Sequence, residues 1–338
     1  MSSPSPPGHD PGHPTLHPAA AGVLPLSWDW QQIVDLRAAE RGGLAELARH
    51  LQDVAPASAR LSDDPQTVER GLRRLRQHHG DGGRYGKLLL RCLGLPDTML
   101  NWARQLGQYH SRASDLPLPM RHDLLQRWDC PPMSTSAAAI WIHIGLASIA
   151  LQRRDLPQTR HRLDLARLFL KRAEPDARLE FELLAARIVS RPDPAAAAHH
   201  LDRAADILQA APLPPSPQAC YDARLLDQRA FLASQGWRSH PERLQHALDL
   251  YDAIDDSPDA PPFAAFRREH GRAWSLWRQG HTQDALIAAQ KACSHAGDGG
   301  LIRFRLMSLV LQSHILPAGP LRAATRHRAD LLSRSLDP

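Results

Sequence analysis

The stretch AWSLWRQGHTQDALIAAQKA, residues 273–292, decides the fold class of this chain. Its small residues Ala273, Gly280, Ala285 and Ala292 are separated by 7, 5 and 7 positions. On either side of Gly280 the stretch is rich in alanine, leucine and other residues that favour helices. Small side chains at this spacing let one helix pack closely against the next, so the stretch predicts a helical hairpin with its turn at Gly280.

The same spacing occurs a second time, 87 residues earlier in the chain. It is found at Ala186, Asp193, Ala198 and Ala205, again separated by 7, 5 and 7 positions. The interval leaves room for one intervening unit, which has its own small residues at Ala230 and Ala247. This regularity predicts a row of helical hairpins, in which each hairpin hides its apolar side only by stacking on its neighbours.

These hairpins resemble the tetratricopeptide repeat family. Trp141, Ile144 and Gly145 are similar to the opening Trp-x-x-Leu-Gly pattern of that family, and residues 273–292 match its series of small residues. The likeness covers roughly residues 137–316, with a period of about 40 rather than 34 residues. The resemblance implies an all-α fold, an α-solenoid of helical hairpins over residues 134–338.

The family binds extended peptides along the concave surface of its first helices, so the resemblance also implies a binding surface here. The matching positions are Arg187, Arg191, Arg224, Arg267, His270, Trp274 and Arg278. Arginines together with aromatic rings suit a protein or peptide partner that carries acidic groups. The competing interpretation is that Trp274 and Trp277 only fill the core, because residues three apart share one face of a helix.

A second basic feature precedes the repeats, in RGLRRLRQHHGDGGRYGKLLLR, residues 70–91. Between Arg60 and Arg91 eight cations oppose four anions, a local excess of +4 against +5 for the whole chain. Such a local patch carries more information about partners than the overall charge. The pattern therefore predicts a small, mainly helical, basic N-terminal domain over residues 27–133, in which residues 60–91 would contact nucleic acid.

The stretch GDGGRYGKLLLRCLGLP, residues 80–96, is typical either of a tight hairpin with a short strand or of a loop that enters a helix. If it is a hairpin, then together with the helices predicted at 31–41, 44–53 and 65–78 it resembles a winged helix-turn-helix. That resemblance places Arg70, Arg73 and Arg74 on the recognition helix and Arg84 and Lys87 on the wing, where they would contact phosphates. The alternative is a solvated arginine face on a small helical domain.

The proline-rich residues 1–26 lack apolar periodicity, which predicts a disordered tail. Cys92, Cys130, Cys220 and Cys293 are far apart and form no CxxC motif, so we expect a reducing, cytoplasmic location and neither a disulfide framework nor a zinc site. The longest uncharged apolar run, residues 137–151, is too short to cross a membrane.

No catalytic, metal-binding or cofactor-binding signature stands out in the chain. Gly86 and Lys87 match only part of a phosphate loop, because Asp81 occupies the first glycine position and Leu88 the hydroxyl position. We therefore expect no enzymatic activity, no metal and no cofactor.

Two functions remain in competition, with an enzyme that has an unrecognised site as a third. The first is a non-catalytic scaffold or adaptor that binds a peptide or protein on its concave face. The second is a transcriptional regulator, in which an N-terminal DNA-binding unit is governed by the repeats. Some bacterial pheromone-sensing regulators combine these two parts, but an analogy of architecture fixes no ligand.

Overall fold

The computed structural model describes residues 28–78, 80 and 82–336, so the tail predicted at residues 1–26 lies outside the described residues. Sixteen α-helices and four short 3-10 turns make up its regular structure, and the described residues form no β-strand. The prediction of an all-α fold is confirmed. Nowhere in residues 28–336, as far as they are described, does a helix have the length and hydropathy that crossing a membrane requires.

The helices follow one another with short connections. The first eight are α1 (Trp30–Arg41), α2 (Leu44–Val54), α3 (Pro65–Arg76), α4 (Gly83–Leu93), α5 (Asp97–Gly107), α6 (Leu118–Trp128), α7 (Ala139–Gln152) and α8 (Leu156–Arg167). The second eight are α9 (Pro175–Val189), α10 (Pro194–Ala210), α11 (Pro215–Ala233), α12 (Glu242–Asp252), α13 (Pro262–Gln279), α14 (Thr282–Asp298), α15 (Ile302–Ile315) and α16 (Pro320–Leu336).

Local sequence signals account for many of the helix ends. Asp29 and Asp193 cap α1 and α10, because each carboxylate accepts a hydrogen bond from a backbone N–H of the first turn. Proline opens α3, α9 and α10, where its missing N–H costs no helical hydrogen bond. Gly280 ends α13 at a φ of 90°, a left-handed conformation that glycine adopts without strain.

Helices that are neighbours in sequence pack together, most extensively α13 with α14, α9 with α10, α7 with α8, α14 with α15 and α15 with α16. Contacts also run between alternate helices, from α5 to α7 and onward through α9, α11 and α13 to α15. We call these six odd-numbered helices the inner helices. The 3-10 turn Arg112–Asp115 touches both α5 and α15, so the series of inner-helix contacts returns to its starting point.

The largest apolar cluster extends from Trp30 to Ala185 and includes residues on both sides of position 133. The N-terminal helices and the first hairpins thus share one core across the domain boundary proposed from the sequence. Close packing at this junction depends on Gly107, because a Cβ atom there would lie 2.5 Å from the carbonyl oxygen of Trp141. Any larger residue would separate α5 from α7.

The glycine-containing hairpin expected after α3 is absent, and residues 83–93 form the helix α4 instead. The prediction of a wing that carries Arg84 and Lys87 was wrong. Gly82, Gly86 and Leu89 recur at helical spacing and are buried, and both glycines lie directly against the ring of Trp30. The two glycines let the Trp30 ring approach α4 and are not part of a hairpin turn.

Candidate functional site

A cavity of about 830 Å³ lies among the inner helices. The residues predicted for the concave surface all line it, namely Arg187, Arg191, Arg224, Arg267, His270, Trp274 and Arg278. They come from α9, α11 and α13, three helices that meet through alternate-helix contacts, and from the residues that directly follow α9. The volume falls in the range of about 300–1,000 Å³ that is usual for ligand-binding pockets.

The cavity wall is strongly basic. Seven arginines line it, and Asp227 is the only acidic residue among the described residues of its wall. The seven are Arg187, Arg191, Arg224, Arg238, Arg267, Arg278 and Arg303. Positive charges collected in a concave, low-dielectric wall reinforce one another and attract anions.

Three of these arginines, Arg224, Arg267 and Arg303, form the deep group. Arg224 is buried and pairs with the buried Glu180, while Arg267 lies 3.3 Å from a carboxylate oxygen of Asp227. All three guanidinium groups surround the ring of Tyr109, at 4.8, 5.3 and 4.5 Å from its centroid. The deep group is therefore largely occupied with partners from the chain itself.

The other four arginines, Arg187, Arg191, Arg238 and Arg278, form the outer group. Within the described part of the chain none of them makes an ion pair. Arg187, Arg191 and Arg238 are exposed, and Arg278 is half-buried. This exposure places the mouth of the cavity at the outer group.

Aromatic rings hold three members of the outer group in place. Arg187 lies over Phe231 at 5.0 Å, Arg238 over Trp237 at 5.2 Å, and Arg278 over Trp277 at 4.1 Å. A guanidinium that stacks on a ring keeps the N–H groups along its edge available for a carboxylate or phosphate. Because stacking restricts the side chain beforehand, less conformational entropy is lost when an anion binds.

Burial and the nearby arginines shift the pKa values of two cavity residues, His270 and Tyr109. Burial lowers the pKa of His270 to about 4, and the positive charge of Arg267 adds to this effect, so His270 is neutral at pH 7. Burial alone would raise the pKa of Tyr109, but the nearby Arg267 and Arg303 outweigh it and hold that pKa below its usual range. The positive charge of the cavity thus comes from arginine.

The residues predicted for nucleic-acid binding lie on α3 and α4, and all five are exposed. Arg70, Arg74 and Arg84 line one shallow concavity of about 440 Å³, whereas Arg73 and Lys87 do not line it. Arg73 pairs with Glu69 at 2.5 Å, and Arg84 donates hydrogen bonds to the carbonyl oxygens of Ala59 and Arg60. The structure thus brings three of the five basic residues together.

Sequence reasoning missed Tyr109, Trp237, Arg238 and Arg303 as cavity residues. Trp237 and Arg238 follow α11, where the repeat spacing has already ended, and Arg303 belongs to α15, for which no position of the binding surface was predicted. Tyr109 meets its partners across 71 to 194 residues of chain, a separation at which local periodicity gives no signal.

No group of three or more histidine, cysteine, aspartate or glutamate side chains suited to a metal ion occurs in residues 28–78, 80 and 82–336. The cavity described above has cationic groups at its mouth and an aromatic, hydrogen-bonded floor. Comparisons of the chain with protein-family models, with curated proteins and with solved structures found no match.

Proposed function

We propose that this chain is a non-catalytic interaction protein, which binds an acidic segment of a peptide or protein partner in the cavity. The observation that carries the proposal is the outer group: four arginines at the mouth of one cavity, without an acidic partner in the described chain. Uncompensated like charges close together destabilise the unliganded protein, and carboxylates from a partner would relieve that repulsion.

The order of helix contacts supports the arrangement of hairpins that the proposal needs. Pairs of sequential helices, linked through alternate inner helices, are what an α-solenoid similar to tetratricopeptide repeats requires. The described cysteines are free thiols, which suits the cytoplasmic location that we propose for the protein. In this proposal residues 134–338 supply all of the binding surface except Tyr109, which comes from the smaller basic domain of residues 27–133.

The direct test uses a fluorescein-labelled octapeptide of alternating glutamate and alanine, with a lysine–alanine octapeptide as its matched control. We expect the glutamate peptide to bind the full chain with a Kd of about 10 μM in fluorescence anisotropy. Raising the salt concentration should weaken this binding, because the contacts are charged and partly solvent-exposed. The lysine peptide should show no binding at peptide concentrations up to about 1 mM. Equal affinity for both peptides, or no binding of either, would refute the proposal.

A second candidate function is DNA binding by the N-terminal helices. It is favoured by the exposed basic concavity that Arg70, Arg74 and Arg84 line on α3 and α4. α1, α2 and α3 contact one another pairwise, as a compact three-helix unit that presents α3 would require. In this proposal the arginines contact phosphates, which position a protein on the duplex without specifying its sequence.

For DNA binding we expect the affinity of the full chain for a duplex to fall linearly with salt on logarithmic axes. Substituting Arg70→Ala and Arg74→Ala, two of the three arginines that line the concavity, should reduce the slope by about 2, because each lost phosphate contact removes about 0.9 released counterions. Arg326→Ala with Arg328→Ala on α16 provides the matched control and should leave the slope unchanged. Absence of duplex binding at low salt would eliminate this candidate.

A further inference from the structure

The segment between α5 and α6 crosses the inner surface of the protein. We call residues 108–115, Gln-Tyr-His-Ser-Arg-Ala-Ser-Asp, the clasp. Its contacts reach α9, α11, α13 and α15 in turn, through Glu180, Arg224, Arg267 and Arg303. A short loop between two adjacent helices thus touches residues that lie up to 194 positions further along the chain.

Tyr109 anchors the clasp through both its backbone and its side chain. Its N–H donates to a carboxylate oxygen of Glu180 at 3.2 Å, and its carbonyl oxygen accepts from Arg303 at 2.8 Å. Its hydroxyl oxygen accepts from Arg267 at 2.5 Å. Charge-assisted hydrogen bonds of this kind are stronger than those between neutral groups, and here they come from three different helices.

Aromatic packing adds to these hydrogen bonds. The Tyr109 ring lies 5.5 Å from that of Phe304, and the His110 ring lies 4.9 Å from Tyr221 and 5.1 Å from Phe263. Tyr221, Phe263 and Phe304 are buried. The clasp is therefore part of an aromatic cluster, and removing it would expose these rings to water.

The far end of the clasp fixes the last inner helix. The carboxylate of Asp115 accepts hydrogen bonds from the N–H groups of Ile302 and Arg303, at 2.8 and 3.1 Å. These are the first N–H groups of α15, which have no partner within the helix itself. The Ser114 hydroxyl lies 3.3 Å from the Arg303 guanidinium. The clasp thus serves as a cap for a helix that begins 187 residues later.

The clasp and the cavity occupy opposite ends of the inner helices. Glu180, Tyr221, Phe263 and Phe304, which the clasp contacts, lie in the N-terminal halves of α9, α11, α13 and α15. The outer group and its rings lie in or just beyond the C-terminal halves. Tyr109 is the one clasp residue that lines the cavity, and the deep arginines separate the two regions.

We infer that the clasp closes one end of the cavity, so that a partner must insert a free end of its chain instead of lying through the site. The inference rests on the proposed binding function and adds to it the form in which the ligand is presented. A segment that continued past Tyr109 would have to displace the hydrogen bonds to Glu180, Arg267 and Arg303 together with the aromatic packing. A partner segment whose free end lies beside Tyr109 would leave these hydrogen bonds and the aromatic packing in place.

The test presents one acidic octapeptide, alternating glutamate and alanine, to the wild-type protein in three forms. In the first it follows a small folded carrier protein, in the second it precedes the carrier, and in the third it joins two copies of the carrier through identical flexible linkers. We expect the third form to bind at least about tenfold more weakly than the better of the first two. With the wild-type protein immobilised on a surface and the carrier fusions in solution, the three affinities can be compared directly.

The outcomes separate this inference from the proposed function. Equal affinity of the embedded peptide and the better free-ended peptide would overturn the closed end, while leaving acidic-peptide binding intact. Failure of all three forms to bind would remove the proposed function and the inference with it. A loss confined to the embedded form supports both.

A variant of the clasp gives a second, independent measurement. Tyr109→Ala removes the ring that separates the cavity from the aromatic cluster, so the embedded peptide should regain affinity to within about threefold of the free-ended one. Tyr109→Phe, which keeps the ring, should retain the discrimination against the embedded peptide. If Tyr109→Ala fails to fold, the three-form comparison on the wild type still decides the matter. A folded Tyr109→Ala protein that still rejects the embedded peptide would contradict the role of Tyr109 as the end wall.

Discussion

The double substitution Arg187→Glu and Arg278→Glu is expected to weaken binding of the glutamate–alanine octapeptide by roughly 100-fold or more. Both side chains belong to the outer group, and both stack on aromatic rings at the mouth of the cavity. The substitution removes two attractive charges and introduces two repulsive ones beside the ligand carboxylates. Two unit charges about 4 Å apart near a protein surface interact by about 4 kcal/mol, so reversing two of them beside the ligand is sufficient for a loss of this size.

The matched control is Arg172→Glu with Arg326→Glu, which changes the net charge equally at exposed positions that do not line the cavity. This control should alter the affinity only a few-fold, because salt screens charges that lie beyond about 8–10 Å. Far-UV circular dichroism of both variants should match that of the wild type. If the cavity variant bound the peptide as well as the control does, the acidic ligand would have to bind elsewhere on the protein.

Glu180→Gln is expected to lower the free energy of unfolding by about 3–5 kcal/mol. Glu180 is 1% exposed and pairs with Arg224, which is 5% exposed. The same carboxylate oxygen accepts from the backbone N–H of Tyr109 and from the hydroxyl of Tyr221, at 3.2 and 3.3 Å. Glutamine keeps the shape of the side chain but leaves the Arg224 cation buried without an opposite charge.

Urea-induced unfolding of the full chain measures this loss, and Glu46→Gln is its control. Glu46 pairs with Arg49 on the surface, where both side chains are more than half exposed, so its removal should change the stability by no more than about 0.5 kcal/mol. A loss below about 1 kcal/mol for Glu180→Gln would show that Arg224 finds another counter-charge or water. The stability effect would then lie in the range of ordinary hydrogen bonds.

The sequence was sufficient to predict the helical class, and the residues that recur at repeat spacing on the predicted surface line one cavity. Arg187, Arg224, Arg267 and Arg278 were identified because each lies on the first helix of a hairpin, at a position that faces the neighbouring first helices. This regularity depends on local periodicity, which a single sequence contains in full. The helices α1 and α2 were predicted to within one residue at each end, and the paired glycines 42–43 mark the boundary between them.

Features that depend on long-range contacts could not be predicted in this way. The burial of Arg224 and Arg267 follows from the neighbouring Glu180, Asp227 and Tyr109, which meet only after the chain has folded. At α4 the sequence left a hairpin and a loop that enters a helix both open, because four glycines close together favour a turn in either structure. Two of those glycines instead make room for Trp30, which lies more than 50 residues earlier.

The cap that Asp115 places on α15 also sets a sequence of events during synthesis. Because a chain emerges from the ribosome N-terminus first, Tyr109 and Asp115 are exposed to solvent long before Arg267, Ile302 and Arg303 have been made. The aromatic cluster cannot reach its final packing until the penultimate helix is translated. A nascent chain that ends before residue 301 would therefore leave the rings of Tyr109 and Phe263 without the packing that Phe304 of α15 provides.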